Sequence, residues 1–188
     1  MLTFILGGAR SGKSRYALQL ARELVIGCNS PELLFVATAT PGDAEMADRI
    51  QKHRTDRDSD WKTVEEPLNP ADIVRANSSA DVIVVDCITL FITNHFMEVW
   101  SEDTANIEDI DLRSTNIAVQ DLITSAVESP SQVILVANEV GLGLVPETVL
   151  GRVFRDAAGW ANQEIAAKAN QVVLMVAGIP LVVKKSGS

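Results

Sequence analysis

The stretch LTFILGGARSGKSRYALQLAREL, residues 2–24, constrains this chain more than any other. Residues 2–6 form an apolar run ended by Gly7 and Gly8, the pattern of a strand buried on both faces. Ala17, Leu20, Ala21 and Leu24 then recur at helical spacing, so residues 14–26 read as a helix that Gly27 stops. A buried strand passing through glycines into a helix is the opening of a crossover unit, and crossovers build parallel sheets.

The octet between strand and helix, GGARSGKS, satisfies G-x-x-x-x-G-K-[ST] in the setting that motif requires. Its glycines admit positive φ, so backbone N–H groups across Gly7, Gly8, Ala9, Arg10, Ser11 and Gly12 can turn inward around phosphate oxygens. Lys13 then reaches the β and γ phosphates, Ser14 offers a hydroxyl to Mg²⁺, and the helix N-terminus adds partial positive charge. Binding of a nucleoside triphosphate follows.

The same kind of apolar run recurs at 33–39, 81–86, 132–138 and 171–177, separated by helical or loop stretches. Gly178 opens a tight turn before IPLVVK, where Pro180 suits an antiparallel edge strand. The expected fold is α/β, a P-loop NTPase with a RecA-like, mostly parallel sheet flanked by helices and closed by an antiparallel C-terminal hairpin. One nucleotide-binding and catalytic domain is expected over residues 1–185, with 186–188 frayed. Residues 41–70 and 93–117 break the alternation and read as helices without sharp ends.

Composition excludes several classes. Among 188 residues, 25 acidic against 16 basic give a net charge of −9, so no positive field exists to hold nucleic acid or an anionic membrane surface. No apolar run approaches the ~20 residues that span a bilayer. The start of the chain lacks a secretory pattern, and Cys28 and Cys87 stand without metal-like spacing; both point to a cytoplasmic protein with reduced thiols.

Three further groups carry potential chemistry. Asp86, at the carboxyl end of VIVVD, is placed to hold Mg²⁺ or water near the phosphates, as a Walker-B acid does. Asp86 and Glu139 are the candidates for a base, and Glu139 reads equally as a structural partner. His53 has two readings. It falls on one helical stripe with Met46 and Ile50, where it would complement the dipole of a helix end, yet Arg54 and Arg57 beside it suit a nucleophile that attacks phosphorus. His95 lacks basic neighbours and reads as structural or surface-lying.

Taken in order, GGARSGKS, VATAT…DAEMADRIQKHR…TVEEP, VVDCITLFITN, NEVGLGLVPE and FRDAAGWANQEIAAKANQVVLMVAGIPLVVK resemble the bifunctional adenosylcobinamide kinase / adenosylcobinamide-phosphate guanylyltransferases of cobalamin biosynthesis over nearly the whole chain. The resemblance implies phosphorylation of adenosylcobinamide by ATP or GTP, then transfer of GMP from GTP with loss of pyrophosphate. His53 would carry the GMP. It further implies nucleotide contacts at Gly7–Ser14, at Thr38, Ala39 and Thr40, at Arg54, Thr55, Asp56 and Arg57, at Glu65 or its neighbour Glu66, and at Asp86. A corrinoid substrate and a homo-oligomer, a trimer, are implied with them; Trp100 and Trp160 are candidate interface residues. Two rivals stand beside this reading: a P-loop kinase for another small molecule with His53 a bystander, and a nucleotide-dependent switch that binds a macromolecule.

Overall fold

The computed structural model describes residues 1–40, 60–99 and 112–185. In chain order the described elements are β1 (Leu2–Gly7), α1 (Lys13–Leu24), β2 (Leu33–Ala37), β3 (Trp61–Glu65), α2 (Pro70–Ala76), β4 (Val82–Asp86), α3 (Ile88–Val99), α4 (Arg113–Glu128), β5 (Gln132–Asn138), α5 (Val149–Lys168), β6 (Gln171–Val176) and β7 (Ile179–Lys185). The strands form one sheet in the order β3-β2-β4-β5-β1-β6-β7. All neighbours are parallel except β6 and β7.

Continuous apolar runs, without alternation, are explained by the two faces of this sheet. Phe4, Leu34, Val36, Ile83, Val85, Val133 and Leu135 point to a core shared with α2, α3, α4 and α5. Their immediate neighbours Ile5, Leu33, Phe35, Val82, Val84, Ile134 and Val136 point to a core shared with α1, through Ala17 and Ala21. Since successive side chains of a strand face opposite ways, helices on both sides demand apolar residues at every position. Each large side chain fully buried in this way stabilises the fold by roughly 1.5–3 kcal/mol.

The expected C-terminal hairpin is present: Val176 pairs with Ile179, and the turn residues Ala177 and Gly178 have φ of 51° and 84°. Positive φ at both central positions matches the right-handed twist of the flanking strands. β7 is nonetheless exposed along its length, Ile179 at 69% and Val183 at 63%. Its apolar side chains therefore contribute little to the core.

The helical reading of residues 41–70 is corrected where the structure describes them. Residues 61–65 form a strand that, among the described residues, pairs with β2 alone at the edge of the sheet, followed by the short helix α2. This strand carries no apolar run in its sequence because it fully buries only its first side chain: Trp61 packs edge-on against Phe35 at 6.2 Å while Lys62, Thr63 and Glu65 stay exposed. Residues 93–117 contain the end of α3 and the start of α4, and α1 ends at Leu24 with Val25 as its cap, ahead of Gly27. No helix among the described residues is long and apolar enough to cross a membrane.

Candidate active site

The parallel strands deliver their carboxyl ends to one edge. β1 runs in register with β5 and β5 with β4, so Gly7 lies opposite Asn138 and Asp86 opposite Val136. The chain leaves β1 for β2 on one side and leaves β5 for β6 on the other, and at such a reversal of winding a crevice opens above the strand ends.

The loop from Gly7 to Ser14 fills that position. A Cβ on Gly7 would lie 2.6 Å from the Met175 carbonyl oxygen and 2.8 Å from Ser11 Oγ, so only glycine fits. Arg10 and Gly12 take φ of 54° and 92°, the conformations that curl the loop back on itself. Gly12 caps α1 with no side-chain hydrogen bond, leaving the helix start to be satisfied by other partners. The Lys13 ammonium turns back into the loop, donating to the Gly8 carbonyl at 2.6 Å and to Ser11 Oγ at 3.5 Å. Burial pulls its pKa below the ordinary lysine value, while Asp86 and then Cys87 pull it back up. Lys13 and Asp86 thus belong to one electrostatic site although their strands are separated by β5.

A polar network fixes the segment around Asp86. The Thr38 hydroxyl donates to the Cys87 carbonyl at 2.7 Å and accepts from the Cys87 amide at 2.8 Å, and the Thr38 amide donates to the Asp86 carbonyl at 3.2 Å. Asn94 of α3 donates to the carbonyls of Thr38, at 2.9 Å, and Pro67, at 3.0 Å. Thr89 accepts from the Asn138 amide at 2.7 Å, tying the start of α3 to the end of β5. Cys87 is enclosed here; burial first, then Asp86, pushes its thiol up to about 12.

The site residues expected from the sequence fall into three groups. Gly7–Ser14, Thr38 and Asp86 come together at the crevice, with Ala39 and Thr40 continuing from Thr38 and Glu65 ending β3 at the same edge. Glu66 and Glu139 have local partners. Glu66 accepts from the Leu68 and Asn69 amides at 3.0 and 2.9 Å, and Glu139 accepts from the Gly141 amide at 2.5 Å. His53, Arg54, Thr55, Asp56 and Arg57 lie outside the described residues, as does Trp100. His95 takes the structural part: half-buried, it meets the Leu68 carbonyl at 2.8 Å through Nε2 and the ring of Phe91 edge-on.

Asn94, Thr89 and Asn138 were not singled out from the sequence. Polar residues inside otherwise apolar helix and strand runs were the available signal, since a buried amide or hydroxyl must find a partner.

Comparison with known proteins identifies the family of the chain. Residues 3–183 match the family model described as cobinamide kinase / cobinamide phosphate guanyltransferase. The bifunctional adenosylcobalamin biosynthesis protein CobU of Escherichia coli is 39% identical over 187 residues, covering 98% of this chain and 100% of the relative. Its counterpart in Salmonella typhimurium is 40% identical over the same shares. The bifunctional adenosylcobalamin biosynthesis protein CobP of Pseudomonas aeruginosa is 40% identical, covering 98% of each chain. Among solved structures, the flagellar accessory protein FlaH of Methanocaldococcus jannaschii is similar with a TM-score of 0.51 and 16% identity, over 98% of this chain and 78% of that one. That likeness concerns the fold alone.

Proposed function

The chain belongs to the cobinamide kinase / cobinamide phosphate guanyltransferase family, and from that premise we propose that one phosphate cradle serves both of its reactions. The enzyme is a bifunctional kinase and guanylyltransferase of adenosylcobalamin biosynthesis. In the first reaction the hydroxyl oxygen of adenosylcobinamide attacks the γ-phosphorus of ATP or GTP, the bond to the β–γ bridging oxygen breaks, and the nucleoside diphosphate leaves. In the second, a ring nitrogen of His53 attacks the α-phosphorus of GTP and pyrophosphate departs. The corrinoid phosphate then attacks the same phosphorus, the N–P bond breaks, and adenosylcobinamide-GDP is released.

The observation that carries this reading is the position of Lys13, buried in the Gly7–Ser14 loop and coupled to Asp86 at the open edge of the sheet. Positioning and charge neutralisation are most of what phosphoryl transfer asks of a protein. Splitting the second reaction through His53 lets pyrophosphate leave before a bulky phosphate dianion approaches. Arg54, Thr55, Asp56 and Arg57, which follow the histidine, would hold the phosphates it attacks, and Thr38, Ala39, Thr40 and Glu65 would line the nucleotide.

Mg²⁺ suits the donors present. The Ser14 hydroxyl and the Asp86 carboxylate are hard oxygen ligands, and Mg²⁺ is usually held by one or two carboxylates together with substrate phosphates. When bound it would neutralise phosphate charge. No cluster of three or more His, Cys, Asp or Glu that would form an all-protein cage lies among the described residues.

The reading includes a cytoplasmic site of action, where nucleoside triphosphates are held, and a homo-oligomer of three copies, for which the exposed apolar strand β7 offers a surface. The deciding experiment is incubation with GTP labelled at the α-phosphate. An acid-labile, base-stable label on the wild type that is lost in His53→Ala supports the two-step mechanism. Phosphorylation of cobinamide with no protein-bound label would reduce the histidine to a bystander.

A further inference from the structure

We propose that the Ala177–Gly178 turn is a positioning element of the phosphate cradle, with the Gly178 amide setting the direction in which the Gly12 amide points. The inference rests on the reading of Gly7–Ser14 as a phosphate-binding loop and goes beyond it, because residues more than 160 positions away in sequence then control the loop's geometry.

Three observations converge. The Gly178 amide donates to the Ser11 carbonyl at 3.0 Å. The two backbones touch at the next residue, since a Cβ on Gly12 would lie 3.4 Å from Gly178 Cα. The strand that leads into the turn also closes on the start of the loop, where the Met175 carbonyl leaves no room for a side chain on Gly7. The hairpin therefore braces the loop at both ends.

The consequence follows from peptide geometry. In a trans peptide the C=O and N–H point in opposite directions. Holding the Ser11 carbonyl toward the hairpin directs the Gly12 N–H away from it, toward the interior that phosphate oxygens would occupy. The fixed orientation matters because a dipole aligned in advance has no reorganisation to undergo when the anion arrives. Arg15 lies against the same junction, its Nη2 3.6 Å from where a Gly178 Cβ would stand.

Gly178 at φ 84° holds this arrangement in a conformation that costs other L-residues energy. Asparagine tolerates that region and valine does not. The test measures binding of inorganic tripolyphosphate and of ATP by calorimetry, with steady-state cobinamide phosphorylation alongside. Gly178→Val is expected to weaken tripolyphosphate binding and raise the KM for ATP about tenfold while kcat at saturation stays within about twofold; Gly178→Asn should return both to within about twofold of wild type. In the wild type, saturation with tripolyphosphate should slow hydrogen exchange at the Gly178 amide, a readout that does not depend on how well any variant folds. A Gly178→Val protein with a lower melting temperature but wild-type affinity would make the turn merely structural, and unchanged exchange at Gly178 would overturn the proposal equally. A wild-type protein that takes up neither tripolyphosphate nor ATP would instead overturn the cradle itself, and this assignment with it.

Discussion

The side chain of Thr38 stands in for a backbone partner of Cys87, its hydroxyl both donating to the Cys87 carbonyl and accepting from the Cys87 amide at 2.7 and 2.8 Å. This fully buried hydroxyl ties the end of β2 to the peptide that follows Asp86. Thr38→Val keeps the shape and removes both bonds; the Cys87 carbonyl still accepts from the Leu90 and Phe91 amides, so the buried Cys87 amide is the group left stranded, at a cost of about 1–3 kcal/mol. Thr38→Ser should keep most of that stability. Urea unfolding curves for the pair would check it, and equal midpoints for Val and Ser would show that the hydroxyl is not what holds this segment.

Gly7→Ala places a methyl group 2.6 Å from the Met175 carbonyl, so β1 and β6 must part or the loop must shift. Overpacking of this kind costs about 1–3 kcal/mol. Because Gly7 also begins the phosphate loop, the expected result couples lower thermal stability to weaker ATP binding. Destabilisation with wild-type ATP affinity would separate the packing of β1 from the shape of the cradle.

Lys13→Ala is expected to lower kcat/KM of both kinase and guanylyl transfer by about 10²–10³, the loss typical of removing one group aimed at developing charge. The measurements are cobinamide phosphorylation and formation of protein-bound GMP from labelled GTP. If the second survived untouched, the two reactions would use separate nucleotide sites.

Cys28 is exposed and Cys87 buried. At pH 8 iodoacetamide should alkylate Cys28 alone, with Cys87 reacting only after unfolding; mass spectrometry of digests distinguishes them. The direction of the pH effect follows from the raised pKa. Folded Cys87 keeps its proton up to about 12 whereas the unfolded thiol ionises near 9, so the contribution is complete below pH 9 and declines as pH rises from there toward 12. A Cys87→Ala protein should lose stability less steeply over that alkaline window than the wild type does.

What residue order determined here was local. A phosphate loop needs glycine, lysine and a hydroxyl at set spacing, and strands buried on both faces need apolar residues at every position; both requirements are met within a few neighbouring residues, so GGARSGKS and the runs at β1, β2, β4, β5 and β6 were legible unaided. The C-terminal hairpin was legible for the same reason, through Gly178 and Pro180. β3 was not, because an edge strand that buries one tryptophan and exposes its charges has no periodicity to read. The helical stripe expected through His53 falls outside the described residues. The strand order, the meeting of Thr38 with Cys87 and Asn94, and the closure of Gly178 on Ser11 were decided only by tertiary structure. Each joins backbone groups far apart in the chain, and a carbonyl or amide is the same chemical group in every residue but proline, so its partner is chosen by where the packed sheet places it.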